Sequence, residues 1–178
     1  MKEKLYMERA LFIIAPQNAG KTTQLKSMFA DPRFGTNTII PQSKRLPVIT
    51  LSKDRRLYIR LSSPHEMKLS PVQFHKNIIA STGVGRWCFA GAFHPYRLNK
   101  MPDVFDALKL FKQKFNPERI RVCFLSPNTN KKGKSLTESE VLIISDKLRK
   151  IKGVEYMFID ARDEYANGLL LADFFDFS

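Results

Sequence analysis

The chain has little cysteine, no long apolar run and few acidic residues for its number of basic ones. Cys88 and Cys123 each lie in an apolar stretch, so we expect two buried, reduced thiols and no disulfide framework. No apolar run reaches the roughly 18 residues that a membrane span requires. The apolar stretch near the N-terminus is short and leads directly into a polar loop, so we do not expect a signal peptide. These absences argue against a disulfide-stabilised secreted domain and a membrane-spanning chain, and they predict a cytoplasmic protein.

Length and composition indicate one folded unit. The chain has 178 residues, of which 43% are hydrophobic and 11% aromatic. That length allows one domain with a substantial core and is short for two. The hydrophobic content argues against global disorder, and we find neither an internal repeat nor a low-complexity segment. We therefore predict a single domain over residues 1–178.

The positive charge is large and unevenly distributed. Thirty basic and 17 acidic residues give a net charge of +13, and from Gly153 onward the acids outnumber the single base, Arg162. A field of this size attracts nucleic acid, an acidic protein or an anionic membrane surface, although a solvated surface would also account for it. The predicted hairpin cluster is the best candidate for nucleic acid, and Arg55 or Arg56 could also act on a phosphate as an arginine finger. Three segments collect the basic residues: Lys53, Arg55, Arg56 and Arg60; Lys109, Lys112 and Lys114; and Lys131, Lys132 and Lys134.

The apolar patterns alternate between strand and helix along the chain. They predict strands at 10–15, 48–51, 57–61, 87–93, 120–125 and 154–159, and helices at 21–29, 70–80, 102–115 and 137–150. The second and third strands flank a short polar turn and read as a hairpin. This order predicts an α/β fold with a mostly parallel sheet and helices on both faces. We expect residues 161–178 to form a terminal helix or a docking segment for a protein partner.

The stretch FIIAPQNAGKTT, residues 12–23, has the parts of a phosphate-binding loop. A buried strand leads into a turn and then a helix, and backbone N–H groups of such a turn can face phosphate. In this arrangement Lys21 would contact the β- and γ-phosphates, and the Thr22 hydroxyl would bind Mg²⁺. The alternative is an ordinary strand–turn–helix unit. The expected binding residues are Asn18, Ala19, Gly20, Lys21, Thr22 and Thr23.

The segment APQNAGKT resembles the Walker A motif of the P-loop NTPase superfamily, Gly-x-x-x-x-Gly-Lys-Ser/Thr. Ala15 stands where the motif has its first glycine. Alanine costs little there unless the position requires a positive φ angle. The resemblance implies a P-loop NTPase fold with ATP or GTP and Mg²⁺ as cofactors.

The order of elements resembles that of the Ras-like GTPases. The resemblance implies that Thr38 joins the Mg²⁺ site and senses the γ-phosphate. The predicted hairpin ends at LSSPHE, where that family carries Asp-x-x-Gly, so Ser62 replaces the aspartate and weakens the Mg²⁺ contact. His65 is then a candidate for orienting water and Glu66 for the general base, although either could be an ordinary loop side chain.

Two later segments bear on base preference and on the metal. Asn130 to Gly133 matches two positions of the guanine-binding Asn-Lys-x-Asp motif and lacks its aspartate, which favours ATP or loose base selectivity. Tyr156 to Asp160 has the form of a Walker B strand, with four apolar residues and an aspartate. Asp160 becomes a Mg²⁺ ligand if the strand order brings it near the loop. In a Ras-like order it lies at the sheet edge, away from the loop.

Three functions fit these patterns. The first is a small, slow NTPase that converts NTP to NDP and phosphate, as a nucleotide-dependent switch or as the ATPase subunit of a larger assembly whose partner completes the site. The second is a P-loop kinase that transfers phosphate to a small molecule or to a nucleic-acid end. The third is a non-enzymatic nucleic-acid-binding module with a degenerate loop, whose binding would be salt-sensitive and indifferent to nucleotide.

Overall fold

A six-stranded, mostly parallel β-sheet with helices on both faces forms the body of the molecule. The computed structural model describes residues 4–127 and 135–176. The strands are β1 (Leu5–Ile14), β2 (Ile49–Thr50), β3 (Arg55–Arg60), β4 (Gly85–Phe93), β5 (Arg119–Leu125) and β6 (Val154–Ile159). The helices are α1 (Lys21–Ser27), α2 (Pro71–Thr82), α3 (Val104–Phe115), α4 (Glu138–Leu148) and α5 (Glu164–Phe175), and the short 3-10 helices are Met28–Ala30 and Pro32–Phe34. The predicted α/β class is confirmed.

The strand order is β2-β3-β4-β1-β5-β6. β2 runs antiparallel to β3, which is the predicted hairpin, and the other neighbouring pairs are parallel. β1 therefore lies between β4 and β5, with Ile14 opposite both Phe93 and Phe124. The order of elements along the chain does not reveal that β4 separates β1 from β3.

Each face of the sheet has its own hydrophobic core, because successive side chains of a strand point to opposite sides. Leu11 and Ile13 of β1 pack with α1 and α5 on one face. Phe12 and Ile14 pack with α2, α3 and α4 on the other. The helices that follow the adjacent strands β1 and β4 thus cover opposite faces. In an open α/β sheet this arrangement leaves a crevice at the carboxyl ends of the two strands, where ligands usually bind.

Side-chain caps fix the starts of the second, third and fourth helices. Ser70 and Gln73 form a capping box at α2, and Thr137 and Glu140 form another at α4. The Asp103 carboxylate accepts from the Asp106 amide at the start of α3. Each cap satisfies an amide that has no partner within the helix. The predicted helix starts at Ser70 and Thr137 agree with these ends.

The C-terminal segment forms helix α5, which packs on the core beside α1. Leu171, Ala172 and Phe175 are buried in the same cluster as the first helix. A Cβ atom on Gly168 would lie 2.0 Å from the carbonyl oxygen of Ser27, so the two backbones are in direct contact there. A larger residue cannot occupy this position without moving one helix, which explains the glycine in the middle of α5.

At the amino-terminal ends of the strands, one buried carboxylate forms ion pairs with three arginines. Glu8 is 2% exposed, and its carboxylate lies 3.0 Å from Arg55, 2.9 Å from Arg86 and 3.6 Å from Arg9. Arg55 is therefore paired at the end of the sheet opposite the loop that follows β1, and the adjacent Arg56 lies at that end too. The arginine-finger role proposed for these two residues has no support in this placement.

Both cysteines are buried free thiols. Burial raises the pKa of Cys88 to about 12 and also raises the pKa of Cys123, so both thiols are protonated at neutral pH. None of the helices within residues 4–127 and 135–176 is long and apolar enough to cross a membrane.

Candidate nucleotide-binding site

The loop after β1 accommodates alanine at the first motif position. Ala15 is fully buried, and its amide donates to the carbonyl of Phe93 at 3.3 Å, so it prolongs the pairing of β1 with β4. The positive φ angles of the loop fall at Asn18 (60°) and Gly20 (92°), and Ala15 has none. Asparagine and glycine tolerate this left-handed conformation best. Ala15 therefore introduces no backbone strain.

Lys21 is buried and fully hydrogen-bonded. Its side chain is 5% exposed, and Nζ donates to the carbonyls of Ala15 (3.0 Å) and Pro16 (2.7 Å) and to the Glu66 carboxylate (2.9 Å). These three bonds use the three donors of an ammonium group. Burial lowers the pKa of Lys21, and the hydrogen bond that Lys21 donates to Glu66 opposes that shift. An anion beside Nζ would likewise favour the charged form.

A cavity of about 290 Å³ opens at this loop. This volume lies near the lower limit of ordinary ligand pockets, which suits part of a ligand such as its phosphates. Glu66 and Leu61 form the wall opposite the loop, and all six expected binding residues line the cavity. Its walls are Asn18, Ala19, Gly20, Lys21, Thr22, Thr23, Leu61 and Glu66.

The start of α1 supplies further polar groups to this cavity. The first amide that donates within the helix is that of Gln24, to the Gly20 carbonyl at 3.0 Å. The amides of Gly20 and of the next three residues therefore have no acceptor within the helix. The Thr22 hydroxyl donates to the Leu61 carbonyl at 3.3 Å, at the end of β3. Amide donors, a hydroxyl and an ammonium group thus converge on one small volume.

Glu66 reaches the cavity because the segment after β3 turns back toward the loop. The Met67 amide donates to the Ser63 carbonyl at 3.1 Å, and the Leu69 amide donates to the Pro64 carbonyl at 3.0 Å. The side chain of Asn99 also donates to the His65 carbonyl at 2.8 Å, so this segment is held from both sides. The Glu66 side chain is 27% exposed and faces Lys21. The general-base candidate is therefore a cavity residue.

His65 has a different place from the one expected. It is fully buried, its Nε2–H donates to the Pro102 carbonyl at 2.8 Å, and its Nδ1 accepts from the His94 amide at 3.4 Å. Burial lowers the pKa of His65 to about 4, so the ring is neutral at physiological pH. With both nitrogens engaged and no place on the cavity wall, His65 anchors the segment that carries Glu66.

Two expected metal ligands lie away from this cavity. Thr38 is exposed, and its hydroxyl donates to the neighbouring carbonyl of Asn37 at 2.6 Å. Asp160 follows the edge strand β6, which β5 separates from β1. The Arg162 side chain donates hydrogen bonds to the Asp160 carboxylate and lowers the pKa of Asp160 to about 2. Neither residue lines the cavity, because the strand order puts Asp160 at the sheet edge and Thr38 lies in an exposed turn.

His94, which the sequence argument missed, lies next to this site. It directly follows β4, the neighbour of β1, and its Nδ1 accepts from the Tyr96 amide at 3.3 Å. Burial and the charge of Lys21 lower the pKa of His94, and the charge of Glu66 raises it. A polar residue directly after the apolar run 87–93 was the available signal. It became informative once β4 was known to pair with β1.

The donor set suits a divalent cation that is bound jointly with phosphate. Within residues 4–127 and 135–176, no three His, Cys, Asp or Glu side chains cluster so as to hold a metal ion alone. Thr22 and Glu66 nevertheless line one cavity and offer hard oxygen ligands. Mg²⁺ typically takes one or two protein oxygens and completes its shell with substrate phosphates and water. The stretch Asn130 to Gly133, compared above with the guanine motif, lies outside the described residues.

No family model, curated protein or solved structure matches the chain. The features that bear on function are therefore the loop, Lys21 and the cavity that they line.

Proposed function

We propose that this chain is a P-loop NTPase that binds a nucleoside triphosphate with Mg²⁺, ATP in preference to GTP, and hydrolyses it slowly. The observation that carries the proposal is the environment of Lys21. This buried lysine is hydrogen-bonded to the Ala15 and Pro16 carbonyls of its own loop and faces a polar cavity through its third donor. A lysine held in this way presents one N–H at a fixed place and suits recognition of a phosphate oxygen.

In this proposal Lys21 exchanges one anionic partner for another. Glu66 accepts the third hydrogen bond of the ammonium group at 2.9 Å in the free protein. A phosphate oxygen takes over that bond when the nucleotide binds, and the Glu66 carboxylate is released into the cavity. The two carbonyl bonds keep Nζ in place during the exchange, so little further ordering of Lys21 is needed.

Thr22 and the released Glu66 are the residues that would hold Mg²⁺. Bound Mg²⁺ supplies charge neutralisation for the phosphates. The Thr22 hydroxyl, which contacts the Leu61 carbonyl at 3.3 Å, would supply one oxygen ligand. Glu66 compensates for Ser62, which stands where the Ras-like pattern has its aspartate. The same carboxylate can accept a proton from an attacking water, directly or through a neighbouring one.

The proposed slow rate follows from the charges of the cavity wall. Among the described residues, Lys21 is the one cation that lines the cavity. An additional arginine commonly stabilises the transition state of phosphoryl transfer and accelerates it by about 10³- to 10⁵-fold. A chain that lacks this arginine suits a nucleotide-dependent switch or an ATPase subunit whose partner supplies it. The preference for ATP rests on the missing aspartate in residues 130–133 of the sequence.

Calorimetric titration with ATPγS and GTPγS, with and without Mg²⁺, tests the proposal. Lys21→Ala should abolish binding of both nucleotides. The matched control is Lys26→Ala, which removes the same charge from the same helix and should leave affinity unchanged. Circular dichroism must show that both variants are folded, and Lys21→Met serves if the alanine variant is not. Unchanged nucleotide affinity in a folded Lys21 variant would overturn the proposal.

A further inference from the structure

A second cavity, of about 530 Å³, adjoins the first and shares Leu61 with it. It lies between the edge of the sheet, the C-terminal part of α2 and the segment before β2. Within residues 4–127 and 135–176, its walls include three cations, Lys44, Arg45 and Arg60, and no carboxylate. Lys44 and Arg45 are exposed. A concave surface with cations alone for charge focuses a positive potential, so it attracts an anion rather than a neutral ligand.

Strand β3 extends this positive surface beyond the cavity. Its residues alternate, so Leu57 and Ile59 are buried on one face of the sheet while Arg56, Tyr58 and Arg60 lie on the other. Side chains two residues apart on a strand are separated by about 6.6 Å. β3 thus carries a row of cation, aromatic ring and cation, and β2 pairs with its first part alone, at Arg56 and Leu57.

Aromatic neighbours hold this row in place. The Arg60 guanidinium lies 5.8 Å from the ring centre of Phe74, and its Nε donates to the Ser62 carbonyl at 3.2 Å. The guanidinium of Arg56 lies 5.6 Å from the ring centre of Trp87. The Tyr58 ring packs at 5.9 Å from Phe89 and stays partly exposed in the cavity wall. The side chains are therefore ordered before any ligand arrives, which lowers the entropic cost of binding.

We propose that this surface, made of Lys44, Arg45, Arg56, Tyr58 and Arg60, binds single-stranded nucleic acid. A basic groove that follows the phosphates, together with an aromatic ring on which a base can stack, is the usual composition of such sites. The partly exposed ring of Tyr58 between two arginines favours a nucleic-acid strand over an acidic peptide. The surface begins at Leu61, beside the Lys21 cavity, so a bound strand would lie next to the nucleotide.

Fluorescence anisotropy with labelled dT15 and rU15 oligonucleotides, between 50 and 300 mM salt, tests this proposal. The groove variant is Lys44→Ala/Arg45→Ala, which changes exposed side chains. Each lost phosphate contact removes about 0.7 from the slope of log K against log salt for single strands. Two lost contacts therefore reduce the slope by about 1.4. If the variant and the wild type bind equally at 1 M salt, this slope makes the variant roughly 25-fold weaker at 0.1 M salt. Tyr58→Leu should weaken binding at least about fivefold with no change of slope, because stacking carries no counterion release.

The matched control is Lys109→Ala/Lys150→Ala, which removes two exposed positive charges from other surfaces. It should retain affinity within about twofold, since distant charges are largely screened. An equal loss in the groove and control variants would overturn the proposal, because net charge alone would then explain binding. Absence of oligonucleotide binding at 50 mM salt would also overturn it, as would binding of phosphatidylserine vesicles in place of oligonucleotide.

This inference is separable from the nucleotide proposal. Lys21→Ala should lose nucleotide binding and keep oligonucleotide binding, whereas the groove variant should do the reverse. If only one proposal is wrong, only the corresponding binding assay fails to respond to its variant.

Discussion

Replacing Glu66 with glutamine should strengthen nucleotide binding in the absence of Mg²⁺. In the free protein the Glu66 carboxylate accepts from Lys21 at 2.9 Å, where a phosphate oxygen is expected to bind. A nucleotide must break this bond before it can use the lysine. Glutamine keeps a carbonyl oxygen for the hydrogen bond and removes the charge. Glu66→Gln therefore weakens the competitor and leaves Lys21 with its two backbone acceptors.

The size of the effect follows from the interaction that is lost. The ammonium group of Lys21 keeps a charge-assisted hydrogen bond to the glutamine oxygen, so what is lost is the attraction of the carboxylate charge. For a partly exposed ion pair this attraction is on the order of 1 kcal/mol, which corresponds to about fivefold tighter binding. Loss of the repulsion between the carboxylate and the phosphates acts in the same direction. With Mg²⁺ present the gain should shrink, because glutamine replaces a charged metal ligand, and hydrolysis should fall.

Calorimetric titration of wild type and Glu66→Gln with ATPγS, in EDTA and in Mg²⁺, measures both parts of this prediction. Glu138→Gln is a suitable control, since it makes the same change at an exposed position on α4. Equal or weaker affinity of Glu66→Gln in EDTA would refute the idea that Glu66 competes with phosphate for Lys21. A gain of equal size with and without Mg²⁺ would instead refute its role as a metal ligand.

Three further predictions concern stability. Burial lowers the pKa of His75 to about 4, so the unfolded chain binds a proton more readily than the folded protein. The free energy of unfolding should therefore fall as pH drops from 6.5 to 4, by up to about 1.4 kcal/mol per pH unit. Urea titrations should show a shallower pH dependence in His75→Gln. Glu8→Gln should destabilise the fold by about 3 kcal/mol, because three arginines lose their buried partner, whereas Asp54→Asn at an exposed ion pair should have a much smaller effect. Gly168→Ala should lower the melting temperature by separating α5 from α1, with a cost of about 1–3 kcal/mol, and unchanged melting would contradict the backbone contact.

Local patterns in the sequence predicted the elements well because each depends on neighbouring residues. The predicted strand at 154–159 coincides with β6, and the predicted helix at 137–150 differs from α4 by one residue at its start and two at its end. Apolar spacing, caps and turn residues carry this information within about a dozen positions. The strand, the turn and the helix around Lys21 were likewise predictable, because they follow one another without interruption.

The strand order could not be predicted from the sequence. The residues that lie close to Lys21 in the fold could therefore not all be identified. Buried parallel strands all appear as short apolar runs, so nothing in the run 87–93 indicates that β4 lies between β1 and β3. That insertion brings His94 to the crevice. The buried position of His65 was not predictable for a related reason, because it depends on a contact with the distant carbonyl of Pro102. Contacts of this kind are decided by packing across the whole domain rather than by local sequence.

The central position of β1 has a consequence for synthesis of the chain. β1 leaves the ribosome before the two strands that flank it, because Leu5 pairs with Gly85 and Arg9 with Arg119. At 5–20 residues per second, roughly 4–16 s pass between the synthesis of β1 and that of its first partner. During this interval an apolar strand has both edges open, a state that invites aggregation. The nascent chain should therefore depend on chaperone protection until β4 has emerged.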